Sequence, residues 1–185
     1  MDTPLQYLLV GFPYSGKTTL AKELCKRLGF FHINIDELKA QRGYENVGDD
    51  LVPDFAWKEI FQEADRLLLK YLSEGKTVVN EYAWITKKWR DRARGVAKKG
   101  KFETKIIYLK TPKELVIKRW EEYKKTKKRF HWPEKELEQM FKDFEEPHSD
   151  ENLIIYDQGV PVDKWINKVF KNVTKTHQFN GKIFS

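Results

Sequence analysis

Short apolar runs and longer stretches of helical spacing follow one another along this chain in a regular order. Leu5-Gln6-Tyr7-Leu8-Leu9-Val10 is a run suited to a buried strand. Leu20, Leu24 and Leu28 then recur at helical spacing as far as Gly29, a natural stop. Phe31-His32-Ile33-Asn34-Ile35 reads as a second strand ending at Asp36. Residues 43–53, with Gly43, Asn46, Gly48 and Pro53, predict a flexible connection. In 54–73, Trp57, Ile60, Phe61, Ala64, Leu67, Leu68, Tyr71 and Leu72 mark one face of a long helix, with Asp54 as cap and Gly75 as terminator.

The second half repeats the alternation. Thr77-Val78-Val79 begins a third strand that ends near Glu81, and residues 86–99 predict a basic helix with a thin apolar face. Ile106-Ile107-Tyr108-Leu109 reads as a fourth strand. Thr111-Pro112 opens a helix, because Thr caps well and Pro is pre-shaped for a first turn. That helix runs into the cationic segment 124–129, and Trp132-Pro133 restarts a helix through Phe144. Leu153-Ile154-Ile155-Tyr156 is a fifth strand and 162–170 a last helix. Strands alternating with helices indicate a parallel α/β sheet. With no internal repeat and no linker, residues 1–185 read as one domain.

Candidate chemistry lies between the first strand and the first helix. Gly11-Phe12-Pro13-Tyr14-Ser15-Gly16-Lys17-Thr18 fits G-x-x-x-x-G-K-[ST], the phosphate-binding P-loop. Gly11 and Gly16 permit backbone conformations and close approaches that a Cβ would obstruct. Backbone amides from Tyr14 to Thr19 can then wrap a diphosphate at the positive end of the following helix. Lys17 would reach the β- and γ-phosphates, and the Thr18 hydroxyl would hold Mg²⁺.

Composition narrows the field. A chain of 185 residues with 40% hydrophobic and 34% charged residues suits one well-cored globular domain. No apolar stretch approaches the ~20 residues that span a bilayer, and no cleavable leader is evident, so a cytoplasmic protein is expected. The one cysteine, Cys25, excludes an internal disulfide and reads as packing or inert surface. His32, His131, His148 and His177 lack metal-ligand spacing. Net charge is +7, yet segment 87–129 holds eighteen Lys or Arg against five acids, a net of +13 that leaves −6 elsewhere. That field suits an anionic ligand, whether nucleotide, phosphorylated metabolite or nucleic acid, or it marks solvated helix faces.

With the P-loop, Ile35-Asp36-Glu37-Leu38, Val78-Val79-Asn80-Glu81 and Val116-Ile117-Lys118-Arg119 in register, the chain resembles the small P-loop kinases. It is most similar to stand-alone AAA-type ATP-binding kinases, a group that includes polynucleotide kinase modules and zeta-toxin-like and chloramphenicol-phosphotransferase-like enzymes. The resemblance covers about residues 5–157. It implies a three-layer fold with a five-stranded parallel sheet in the order 2-3-1-4-5 and a small helical lid near 119–133. It also implies an ATP- and Mg²⁺-dependent kinase acting on a hydroxyl of a small or nucleotide-like acceptor. A 5′-hydroxyl polynucleotide kinase, and a nucleotide-binding switch or nucleic-acid-binding module without phosphotransfer, stand as alternatives.

Roles follow from the resemblance. Asp36 would accept the acceptor's hydroxyl proton, or merely cap a helix. Glu81 would approach Mg²⁺, although relatives usually carry Asp at that strand end. Arg119 would stack on adenine or touch phosphate, and Arg129 would neutralise charge on the transferring group. Arg90 and Arg94 would contact acceptor or phosphate, or form a solvated helix face.

Overall fold

A computed structural model describes residues 3–126 and 131–171. In chain order these form β1 (Leu5–Val10), α1 (Lys17–Leu28), β2 (Phe31–Asn34), α2 (Ile35–Ala40), α3 (Asp54–Ser73), β3 (Val78–Glu81) and α4 (Lys87–Lys99). β4 (Glu103–Lys110), α5 (Lys113–Thr126), α6 (Glu134–Asp143), β5 (Leu153–Asp157) and α7 (Val162–Val169) follow. The strands make one parallel sheet in the order β2-β3-β1-β4-β5. This is the three-layer P-loop fold that the sequence predicts.

The strands are near-continuous apolar runs because the sheet is covered on both faces. Leu8 and Val10 of β1 join Ile106, Tyr108 and Val78 in a core closed by Ile60, Phe61, Ala64 and Leu68 of α3 and by Ala93 and Ala97 of α4. Their neighbours Tyr7, Leu9, Val79 and Ile107 point the other way, against Leu20 and Leu24 of α1 and Trp165 and Ile166 of α7. Leu8 and Leu9 are both 0% exposed, and burying each contributes about 2–3 kcal/mol. A third cluster joins Phe12 of the P-loop to Val116 and Trp120 of α5 and Leu137 of α6. The described part of the expected lid is therefore packed onto the loop itself. Among the described residues, no helix is long and apolar enough to cross a membrane.

Three local expectations change. β2 stops at Asn34 rather than reaching Asp36, because the Asn34 side-chain carbonyl accepts the amides of Asp36 (2.9 Å) and Glu37 (3.2 Å) and starts a helix there. Ile35 is fully buried as the first residue of α2, and an apolar residue fits a strand end equally well, so periodicity alone does not separate them. The connection 43–53 is pinned: it contains a 3₁₀ turn at Asp49–Leu51, and Lys39 Nζ donates to the Val47 carbonyl (2.5 Å) and to Asp49 Oδ1 (2.7 Å). At the start of α3, Pro53 holds the cap position without a side-chain bond, and Asp54 is the first helical residue.

Candidate active site

All five strands are parallel, so the carboxyl ends of β1, β2, β3 and β5 deliver the P-loop, Asp36, Glu81 and Gln158 to one edge of the sheet. Ligands bind at this edge in open α/β sheets. A cleft of about 1110 Å³ opens there, and Tyr14, Ser15, Gly16, Lys17, Thr18 and Thr19 line it on one side. Asp36, Asp49 and Glu81 line it on another, with Arg119 and Gln158 at its margin.

The loop's glycines are required by geometry. A Cβ on Gly11 would stand 3.1 Å from the Leu109 carbonyl oxygen and 3.0 Å from Ser15 Oγ. Gly16 enters α1 at φ +95°, where a side chain is strained, and no side chain caps the helix start. Neither does any acid sit in the first turn. The leading amides are thus left for an anion. Lys17 Nζ donates to the carbonyls of Gly11 and Phe12, both at 2.9 Å, so its ammonium is held across the loop. Burial lowers the Lys17 pKa, while Glu81 and Asp36 pull it back up.

Glu81 is 3% exposed. Its Oε1 accepts the Thr18 hydroxyl at 2.6 Å, and its Oε2 takes His32 Nε2 at 2.8 Å and Asn34 Nδ2 at 3.3 Å. Burial pushes the carboxyl upward, but the bonds from His32 and Thr18 and the Lys17 charge outweigh it and hold it below the usual range. His32, which sequence spacing leaves without a role, is thus the brace that fixes one oxygen so that the other faces Thr18. The donor set suits Mg²⁺, which takes hard oxygen ligands and keeps several waters. Thr18 Oγ1 and Glu81 Oε1 are the protein atoms that would hold it.

Asp36 occupies the first turn of α2 and faces the cleft. The helix-cap alternative fails, since Asn34 makes the capping bonds. Desolvation by the cleft wall, then the charge of Asp49, push the Asp36 carboxyl up to about 6, with Lys17 opposing. The residue remains exposed to the cleft, so this is partial withdrawal from water in a concave wall, not entombment.

Arg119 Nη1 donates to the Tyr14 carbonyl at 3.0 Å, and Nη2 to Gln158 Oε1 at 3.2 Å. Gln158 Nε2 in turn donates to the Ser15 carbonyl at 3.1 Å. Together they strap the outer turn of the P-loop. No motif marks Gln158; the only signal available in the sequence is its place just after a strand end.

Arg90 is a correction. It is 0% exposed, pairs with Glu151 through two 2.9 Å bonds, and donates to the carbonyls of Trp84 (3.2 Å) and Glu145 (2.9 Å). Four of its five N–H donors are engaged inside the fold, and it does not line the cleft where an acceptor is expected to meet it. Replacing Arg90 by Met should cost about 3 kcal/mol in a urea titration, because the Glu151 charge would stay buried and unpaired. Arg94 pairs with Asp91 and Glu151 and likewise does not line the cleft. Arg92 is bound to Asp65. Much of the basic charge of α4 is therefore neutralised within the fold. Arg129 lies outside the described residues. Cys25 is half-buried, and desolvation pushes its thiol up to about 11, as suits an inert cysteine.

The sequence matches the AAA domain family over residues 7–147. No curated protein matches it by sequence. Solved structures do resemble it. A gluconokinase from Sinorhizobium meliloti 1021 superposes with TM-score 0.62 at 14% identity, over 100% of both chains. The APS kinase of Mycobacterium tuberculosis, in complex with AMPPNP and APS, gives 0.67 at 14% over 92% of this chain and 98% of that one. A chain of the Pnkp1/Rnl/Hen1 RNA repair complex gives 0.65 at 18%, over 77% of this chain and 44% of that one. From residues 7–147 and the five-stranded parallel sheet together, the chain belongs to the AAA domain family and has the fold of the small P-loop kinases.

Proposed function

We propose that this protein is an ATP-dependent kinase that transfers the γ-phosphoryl group to a hydroxyl of a small-molecule acceptor. The observation that carries the proposal is one cleft shared by the Lys17 ammonium, the Thr18–Glu81 pair and the Asp36 carboxylate. The P-loop amides and Lys17 would bind the polyphosphate. Mg²⁺ held by Thr18 and Glu81 would screen phosphate charge. Asp36 would take the proton of the acceptor hydroxyl as its oxygen bonds to the γ-phosphorus and the bond to the β–γ bridging oxygen breaks, releasing ADP. Arg119, which holds the loop's outer turn, would turn toward phosphate when the nucleotide binds. Arg129 remains a proposed partner for the developing charge.

A polynucleotide acceptor is the second reading, favoured by the +13 segment and by the likeness to a chain of an RNA repair complex. The ion pairs of Arg90, Arg92 and Arg94 reduce the charge available to it. The experiment is a panel of hydroxyl metabolites and 5′-hydroxyl oligonucleotides incubated with γ-labelled ATP and Mg²⁺. Label on a metabolite is the expected result. Label on oligonucleotides alone selects the second reading, and ATP bound without turnover across the panel selects a nucleotide switch.

A further inference from the structure

Beside the main cleft lies a second recess of about 350 Å³, between the segment after β3 and α6. Asp49 and Trp132 line both cavities, so the two adjoin at these side chains. Its apolar wall is aromatic: Tyr82, Trp84 and Trp89, with Trp132 opposite. These rings are held from behind. Tyr82 meets Trp84 edge-on at 5.6 Å and Phe61 edge-on at 5.8 Å, while Trp89 stacks on Phe61 at 5.2 Å. The Tyr82 hydroxyl donates to Asp49 Oδ2 at 3.1 Å.

The polar wall has one sign. Asp49, Asp50, Glu136 and Asp143 line the recess, and no Lys, Arg or His is among its described lining residues. Lys39 neutralises Asp49, which leaves three carboxylates facing an aromatic box. Withdrawal from water, then Asp50 and Asp49, raise the Glu136 pKa, and Lys39 offsets them only in part, as expected where carboxylates crowd together. An anion placed here would meet like charge. A cation on an apolar body would meet ring faces and carboxylates together.

Resting on the kinase reading, we propose that the acceptor is a positively charged, amine-bearing alcohol with an aromatic-sized apolar body. Its ammonium sits in the recess among Asp50, Glu136 and the rings of Tyr82, Trp89 and Trp132. Its hydroxyl projects past Asp49 toward Asp36. This choice runs against the chain's overall positive charge, which by itself suggests an anionic partner.

The test uses three probes of one size that differ in charge: 2-amino-1-phenylethanol, 1-phenyl-1,2-ethanediol and mandelate. Binding to the full chain is read by tryptophan fluorescence, with and without Mg-ATP. The ammonium probe should bind at least about tenfold more tightly than mandelate, with the diol between, and added salt should narrow the gap. The Asp50→Asn, Glu136→Gln double variant should remove the ranking, and Trp89→Ala should weaken all three probes. Mandelate binding as tightly as the amine would overturn the proposal. So would a ranking that survives in the double variant, or no response to any probe at millimolar concentration. ATP affinity measured on the same preparations tests the kinase reading separately, since the ranking can hold or fail whether or not ATP binds.

Discussion

Asp36→Asn should bind ATP as the wild type does and transfer its γ-phosphoryl group about 10²–10⁴-fold more slowly, the usual contribution of a positioned general base. The substitution is nearly isosteric and leaves the Asn34 cap of α2 untouched, so helix loss would not explain a slow enzyme. A pH profile supplies the second reading. With the carboxyl pushed up to about 6, wild-type kcat/KM should rise with pH through that value and level off above it. The Asn variant should lack that limb. Stability should move the opposite way to activity. A carboxyl that holds its proton more tightly when folded than its ordinary 3.8 makes the folded state progressively less stable as pH rises from about 4 through about 6. Asp36→Asn should therefore raise Tm relative to wild type at pH 7–8 and lose that advantage near pH 4. Transfer at the wild-type rate, with its acid limb intact, would end the assignment of Asp36 as base.

Lys17→Ala should lower kcat/KM for ATP by about 10³-fold, within the range seen when a cation that stabilises phosphoryl transfer is removed. The ammonium is already held over the loop by the Gly11 and Phe12 carbonyls, so it requires little reorganisation to meet a phosphate. Its loss has a second consequence. The Lys17 ammonium is the main positive charge holding the Asp36 pKa down, so the acid limb of any residual activity should move above 6. Lys17→Met separates charge from packing, and it should match Lys17→Ala in rate while keeping the Tm closer to wild type. Unchanged ATP affinity in both variants would mean that triphosphate binds elsewhere.

The P-loop, the order of strands and helices, and the candidacy of Asp36 and Glu81 were legible in the residues alone. Each is local: a glycine at a fixed spacing, an apolar run, an acid just past a strand. α3 shows how far this reaches, since its bounds at Asp54 and Ser73 follow from one apolar face and one glycine. Where a residue's partner is distant in the chain, the reading failed. Arg90 looked like an anion contact because Glu151, sixty-one residues away, is invisible to spacing. His32 looked idle because Glu81 lies forty-nine residues on.

The charge of the site belongs to the same class. Composition sums every lysine, whereas a ligand responds to the few groups that face it, and most of the basic run faces elsewhere. Sequence by itself determined that a phosphate-binding loop opens a parallel α/β sheet, because that needs only neighbours along the backbone. Only the tertiary structure decided which oxygen of Glu81 meets Thr18, which arginines bind the fold to itself, and that acids and indoles wall the second recess. These depend on side chains brought together across the sheet, and the folding of the whole chain selects their pairing.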